Sequence, residues 1–530
     1  MSHIGRAPCD AVAILHGTPE LPHSSAGARW TLVAAILGSS MAFVDGTVVN
    51  VALPSIQLEL NATASEAQWV VESYALFLAA LLLVGGSLGD HFGRRRIFSI
   101  GVALFTVASI GCGLSTSVAA LIAARAMQGV GAALLVPGSL SLLSAAYPQA
   151  ERGAAIGTWS AFSGITAAIG PVIGGYLVDH YSWTWAFLIN VPIGALLLVI
   201  CARKVPESFG SSSREPVDVT GAILATAGLA GAVFALIEAP AQGWGATTVV
   251  AAGAIGLLAL GAFIAWEMRY PAPMLPLRLF GQRDFAGANL LTLLLYGALG
   301  GGLFFVPLNL IQVQGYGATA AGAALLPFIA IMFTLSTWAG TLVDTYGPRP
   351  PLVVGPVIAA AGFALFAVPP IGASYWTTFF PAVCVLGLGM SITVAPLTTT
   401  IMNAVGPELA GVASGVNNAV SRTAGLLAIA LFGLVLAGAF NARLTDELRL
   451  AGASPEATSA IVAQRHKLAG ATVPATVPEK TRIHLKQAIG HSFVAGFRWV
   501  MLLSAALALL SALSAWALIS GKPQGQTPSD

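Results

Sequence analysis

Long apolar stretches broken by short polar connections run through this chain from residue 30 to residue 519. A helix rises 1.5 Å per residue, so about 20 apolar residues cross a hydrocarbon core of about 30 Å. Stretches of that kind lie near 30–52, 68–89, 97–115, 119–146, 154–178, 184–202, 217–238, 246–266, 286–311, 318–343, 351–369, 376–403, 411–440 and 494–519. They predict an all-α integral membrane protein with 14 transmembrane helices. The many Gly and Pro residues inside these stretches do not argue against helix, because membrane helices carry both more often than soluble ones.

Composition agrees with the pattern. Charged residues make up 9% of 530, against 56% apolar, whereas a soluble domain carries about a quarter charged residues. Most of the surface must therefore face lipid. A net charge of +2 gives no ground for nucleic-acid binding. Cys9, Cys112, Cys201 and Cys384 have no metal-like spacing, and three sit in apolar spans, where they read as small apolar residues. Residues 1–28 form a polar, Pro-containing tail without the features of a secretory signal, so the first span is expected to direct insertion. All eight histidines fall outside span interiors, and no nucleophile–base pair or metal cluster lies at membrane depth. The expectation is no enzyme, no metal and no cofactor. Nor is there a ring of like groups or a filter loop to suggest a channel.

Basic residues predict the orientation. Connections after odd-numbered spans lack Lys and Arg as far as residue 376, while the alternate connections carry Arg94, Arg95, Arg96, Arg152, Arg203, Lys204, Arg269, Arg278, Arg283 and Arg349. The positive-inside bias places both termini in the cytoplasm. The segment 441–493 is external by this count although it holds seven Lys or Arg. The bias acts weakly on long loops, and this polar segment is expected to hold short surface helices. Trp30, Trp69, Trp183, Trp185, Trp244, Trp266, Trp376, Trp499 and Trp516 lie near span ends, as an interfacial belt would.

One pattern occurs twice. GSLGDHFGRRR begins at Gly86 and GTLVDTYGPRP at Gly340, so Gly86, Leu88, Asp90 and Gly93 recur as Gly340, Leu342, Asp344 and Gly347 at a constant offset of 254 residues. Both copies end a span on the basic side. Two six-span halves related in this way imply a parallel repeat, the architecture of many secondary transporters. The expected organisation is a tail at 1–28, a first half at 29–204, a two-helix insertion at 205–270, a second half at 271–520 and a tail at 521–530. The insertion has no charge in its span interiors, and Glu238 lies at a span edge.

Buried charge points to chemistry. Asp45 lies well inside the first span, and a carboxylate at membrane depth costs about 2.5–3.5 kcal/mol on insertion scales. Its presence suggests a group that takes up and releases a proton, and hence an ion-coupled transporter. Arg125 opens RAMQGVGAALLVPG seven residues into span 4. By helix rise it lies roughly 10 Å below the outer surface, while Asp45 lies roughly 22 Å above the inner one. In a core of about 30 Å the two share a depth and can pair directly or through water. Such a pair is either a static link between spans 1 and 4 or a proton-coupling site that Arg125 tunes. Gln128, one turn from Arg125, can line the same cavity. Glu72 in span 2 is expected near the outer end within reach of water, as a hydrated rim carboxylate or a second proton or cation site. In span 13, Asn417, Asn418 and Arg422 interrupt an apolar run. Arg422 needs a partner, whether a carbonyl, a carboxylate of the first half or a substrate.

These motifs, with SGITAAIGPVIGGYLVD in span 5 and the following SWTWAFLINVPIG, resemble the major facilitator superfamily and, within it, the fourteen-span drug:proton antiporters. The resemblance covers nearly the whole chain apart from the first 28 residues and 441–493. It implies the major facilitator fold, two six-helix halves plus two inserted helices, working by alternating access in the cell membrane. It assigns Gly170, Pro171, Gly174 and Gly175 to the antiporter motif. It assigns Gly86, Asp90, Gly93, Arg94, Arg95, Asp344 and Arg349 to a cytoplasmic gate whose charges pair in one state and separate in the other. Asp45, Arg125 and Glu72 are the proton-coupling candidates; Gln128, Asn417, Asn418 and Arg422 are the substrate-cavity candidates. Thr166 and Phe162 stand where the fullest antiporter pattern has glycine, and Thr184 stands where an Arg is usual. The implied function is proton-driven efflux of lipophilic drugs or toxic compounds, with narrow export of a single metabolite or antibiotic as the alternative. Partners would be small lipophilic or cationic substrates, protons and the bilayer, with a periplasmic adaptor as in some relatives. The low acidic content of the spans suits neutral or singly cationic compounds better than dications.

Overall fold

The computed structural model describes residues 25–210, 217–405 and 409–521. Most of the N-terminal tail, Cys9, Arg214 and the C-terminal tail beyond residue 521 lie outside the described residues. Fourteen helices are long and apolar enough to cross a membrane, and we label them α1–α14. The first half comprises α1 (Gly27–Glu59), α2 (Ala64–Phe92), α3 (Arg94–Gly113), α4 (Val118–Ala146), α5 (Glu151–His180) and α6 (Trp185–Lys204). Then come α7 (Val219–Gln242) and α8 (Thr247–Glu267). The second half comprises α9 (Arg283–Val313), α10 (Ala318–Tyr346), α11 (Arg349–Phe366), α12 (Phe379–Asn403), α13 (Gly411–Leu450) and α14 (Glu479–Leu518).

Local chemistry sets several ends. Thr63 and Glu66 form a capping box at the start of α2, Ser117 caps α4 and Asp218 caps α7, each accepting a backbone N–H that helix geometry leaves free. The repeated motif ends its two spans alike. Gly93 and Gly347 adopt φ of +104° and +79°, and their N–H groups return to the carbonyls of Gly89 and Val343. A side chain at either φ would be strained. At Gly93 a Cβ would also meet the carboxyl of Glu207.

The halves pack by the same scheme, as the repeat requires. α1 lies on α5 as α9 lies on α13, α2 on α4 as α10 on α12, α3 on α4 as α11 on α12, and α3 on α6 as α11 on α14. They meet through α5 with α10, α2 with α13 and α1 with α9. α7 packs on α8, on α2 and on α13, so the inserted pair borders both halves along that seam. α8 touches chiefly α7, and only 11% of its apolar window is buried, so the rest faces lipid.

The polar segment 441–493 is organised differently from its sequence expectation. It is mostly helix continuous with the spans: α13 and α14 each run 40 residues, about 60 Å, twice what the hydrocarbon core requires. Only 451–478 is left as the connection, and it holds one short helix, Pro455–Val462, and a 3-10 turn, Arg465–Gly470. This connection folds back over the end of the bundle opposite the arginine-rich loops.

At that opposite end the halves are sealed together. Asp179 of α5 accepts hydrogen bonds from the backbone N–H groups of Ala318 (2.9 Å) and Thr319 (2.8 Å) and from the Thr319 hydroxyl (2.7 Å), capping α10. Gln312 of α9 donates to Gln57 of α1 (2.8 Å), and Lys467 donates to Asn61 (2.6 Å). α5 packs closely on Ala318–Ala323 and hardly on the rest of α10. Toward the arginine-rich end, Phe333, Ser336, Thr337, Trp338 and Thr341 of α10 are exposed. The bundle is thus closed at one end and parted between α5 and α10 at the other.

Candidate transport and proton-coupling site

The carboxylate in α1 and the guanidinium in α4 do meet. Arg125 Nη1 lies 2.5 Å from Asp45 Oδ2, with both side chains buried. Gln128 Nε2 donates to Asp45 Oδ1 (2.7 Å) and Asn190 of α6 does so at 3.3 Å. Gln128 also donates to Ser109 Oγ of α3 (2.8 Å) and accepts from Arg125 (2.6 Å). The Arg125 Nε donates to the Val70 carbonyl of α2 (2.9 Å), and its guanidinium lies over the Tyr74 ring, 4.3 Å from the centroid. Five helices of the first half therefore contribute to one closed polar cluster. A buried charge pair is stabilised only if its remaining donors and acceptors are satisfied; here both Asp45 oxygens are engaged, and Asn190 Oδ1 is the cluster's one buried oxygen without a partner among the described residues.

Gln128 has no exposed surface and faces Asp45 instead of an open cavity. Glu72 departs from expectation more sharply. It is fully buried, with both carboxyl oxygens lacking a hydrogen-bond partner among the described residues, so it is not a hydrated rim residue. Helix packing decides this: its face of α2 turns inward, so depth along the helix alone misplaced it.

In the second half, Asn417 donates to Asn289 (3.2 Å) and Thr292 (2.7 Å) of α9, tying α13 to its neighbour. Asn418 is half-buried, and its carbonyl accepts from Ser421 (3.0 Å). Arg422 is half-buried, within electrostatic reach of Tyr74, and forms no ion pair or hydrogen bond among the described residues. Tyr74 thus stands between Arg125 of one half and Arg422 of the other.

The arginine-rich turn is held by an acid of α2 and by one of the connection that follows α6. Arg94 Nε lies 2.7 Å from Asp90 Oδ1, and Arg95 Nε lies 3.6 Å from Glu207 Oε2. Glu207 also accepts the backbone N–H groups of Arg95 (2.8 Å) and Arg96 (3.2 Å) at the start of α3. Asp344, the counterpart of Asp90 in the repeat, is exposed and unpaired among the described residues. Arg349 sits over the Trp516 ring at 5.4 Å and is not paired with Asp344.

The span 5 motif is a packing device. A Cβ on Gly170 would strike Thr47, and one on Gly174 would strike Val48, both on α1. A Cβ on Gly175 would strike the Ala318 carbonyl, and one on Gly322 would strike the Pro171 carbonyl. Small residues here let three backbones approach at the sealed end. Thr184, at the position where an Arg is usual, turns back to Ser182 at the start of α6.

Sequence reading missed Asn190, Ser109, Tyr74, Glu207 and Asp179. Asn190 carried a usable signal, an amide in an apolar run. The others join their partners through the tertiary fold alone.

Two six-helix halves that seal at one end and part at the other, around buried charge, define a membrane transporter. The Major Facilitator Superfamily profile matches residues 35–430, and the chain belongs to that superfamily, in its fourteen-span drug:proton antiporter branch. It is 34% identical to the tetracenomycin C resistance and export protein of Streptomyces glaucescens over 95% of this chain and 94% of that one. It is 34% identical to the multidrug resistance protein Stp of Mycobacterium tuberculosis over 92% and 91%. The puromycin resistance protein pur8 of Streptomyces alboniger is 36% identical over 81% and 85%. Among solved structures, the fold is similar to a bacterial homologue of the human lysosomal transporter Spinster in an inward-facing conformation (TM-score 0.63, 18% identity, 93% and 98% covered). It is also similar to a D-xylose-proton symporter (TM-score 0.58, 14% identity, 94% and 99% covered).

Proposed function

We propose that this protein exports lipophilic compounds in exchange for protons. The observation that carries the reading is the Asp45–Arg125–Gln128 cluster, a titratable carboxylate buried beside a cation inside one half of a two-half transporter. Protonation of Asp45 would free Arg125 and Gln128 to rearrange, and proton loss would restore the present closed cluster. The unpartnered Glu72 is the second candidate, since a buried carboxyl without a partner is tolerated there in its neutral form. The basic connections support placing both termini in the cytoplasm of a cell-membrane protein, with the parted end facing inward.

The energetics suffice for a neutral substrate. One proton entering down about 150 mV gains roughly 3.5 kcal/mol, and each pH unit adds about 1.4. Together these sustain a gradient of about a few thousandfold. For a monocation exchanged one for one the electrical terms cancel, and a second proton carried by Glu72 would restore them.

The test is ethidium efflux from cells lacking their own pumps, comparing wild type, Asp45→Asn and a protonophore. Loss of efflux with both treatments supports the reading. Efflux that survives Asp45→Asn but stops with the protonophore moves the proton site to Glu72. A narrower reading is favoured by the relatives named for tetracenomycin C and puromycin. A resistance panel separates the two, since a narrow exporter protects against one compound class alone.

A further inference from the structure

A cavity of about 720 Å³ lies at the sealed end, away from the proton-coupling cluster and beneath the 451–478 connection. Its walls come from both halves and from the insertion: Leu53, Ile237, Phe304, Phe305, Leu308 and Phe493. Gln57, Gln68, Gln312 and Asn441 supply neutral polar groups, and Gln312 Oε1 is buried with no partner. The roof carries Arg465, His466 and Lys467. Among the described residues, no Asp or Glu lines the cavity. The nearby Glu66 is engaged by the capping box of α2. The roof is anchored by Leu468, which is 8% exposed and holds φ of +54°. A bulky residue in that region is strained, and such strain persists only where surrounding contacts impose it.

We infer that this chamber is a second binding site, at which an exported compound is held under the roof before release. Its ligand is a hydroxylated polycyclic aromatic compound, neutral or weakly acidic. The apolar walls take the ring system, and the size suits a drug-sized molecule. A ligand hydroxyl pairs with the side-chain amides at the wall, those of Gln57, Gln312 and Asn441. Phenolate, carboxylate or carbonyl oxygens turn toward Arg465 and Lys467, which disfavour a cationic ligand. Leu53 lies eight residues along α1 from Asp45, roughly 12 Å, so the chamber is outward of the proton site and distinct from it. The inserted α7 thereby gains a role as one wall of the chamber. The inference rests on the export reading for its meaning, but the site itself is open to an equilibrium test.

The experiment measures binding of alizarin sulfonate, an anionic dihydroxyanthraquinone, and of 1,4-dihydroxyanthraquinone, whose carbonyl-bonded hydroxyls keep it uncharged at neutral pH, to the full chain in lipid nanodiscs. Empty nanodiscs provide the background. Wild type is compared with Ala437→Phe, which fills the chamber, and with Arg465→Glu, which reverses charge at the roof. The expected result is saturable binding of both probes to wild type and its loss in Ala437→Phe. Arg465→Glu should weaken the anion about five-fold, as for reversal of a rim charge, and leave the neutral probe within about two-fold. Equal unfolding midpoints establish that the variants fold, and Arg465→Glu serves alone if Ala437→Phe does not. Binding indifferent to both substitutions, or a lipid tail that the probes cannot displace, overturns the site. Transport is measured separately in proteoliposomes. Binding with the expected pattern but no proton-driven transport overturns the export reading and leaves the site standing.

Discussion

Asp45 accepts from three side chains, those of Arg125, Gln128 and Asn190. Replacing it with Asn removes the charge that offsets Arg125 while keeping side-chain volume. Breaking one partner of a buried pair costs about 3–5 kcal/mol, because the other charge is left uncompensated. We therefore expect Asp45→Asn to lower the unfolding midpoint in nanodiscs more than the double variant Asp45→Asn/Arg125→Met does. Equal midpoints would show that the pair contributes no net coupling. Glu72→Gln should behave in the opposite way. The described residues offer Glu72 no hydrogen-bond donor, so a neutral isostere should leave the midpoint unchanged. It should reduce charge moved per turnover in solid-supported-membrane recordings if Glu72 carries a second proton. An unchanged charge per turnover would exclude it as a carrier.

The elements show how short segments couple distant tasks. The stretch 68–74 of α2 presents Gln68 to the chamber, the Val70 carbonyl to Arg125, the buried Glu72, and the Tyr74 ring to the same guanidinium. A shift of this helix on protonation would reach the chamber within two turns. α5 is the other sensitive element. Gly175 lies directly against the Ala318 carbonyl, so Gly175→Val should wedge α5 from α10 and unseal that end. The check is reaction of a cysteine introduced at Gln57, in a chain freed of its own cysteines, with a membrane-impermeant maleimide added from the side of the 451–478 connection. Labelling should rise about ten-fold over the unwedged chain; unchanged labelling would mean the motif glycines do not hold the seal. Of the two acids at the arginine-rich turn, Glu207 holds the start of α3, and Glu207→Gln should speed hydrogen exchange of the Arg95 and Arg96 amides it now holds.

For the whole molecule, the central expectation is a change of accessible end. Thr337 lies on the exposed part of α10. A cysteine there should react from the side of the arginine-rich loops and be protected from the other. An imposed proton gradient should redistribute that labelling in wild type and not in Asp45→Asn. Labelling from both sides at once would describe an open pore and contradict alternating access.

Much of this architecture is set by the chain alone. Lipid rewards any continuous apolar helix, so fourteen spans follow from run length without knowledge of their neighbours. The repeat from Gly86 to Gly93 and from Gly340 to Gly347 fixes two similar halves, because its last glycine needs the left-handed turn observed in both. Asp45 and Arg125 were legible as a pair because depth along a helix is a one-dimensional quantity. Rotation about a helix axis is not, and that is where the sequence reading stopped. Apolar residues surround a membrane helix on all sides, so its pattern does not say which face turns inward. Only the tertiary structure could decide that Glu72 is buried without a partner, that Gln128 faces Asp45, that Glu207 holds the arginine turn, and that a polar loop roofs a chamber shared by both halves.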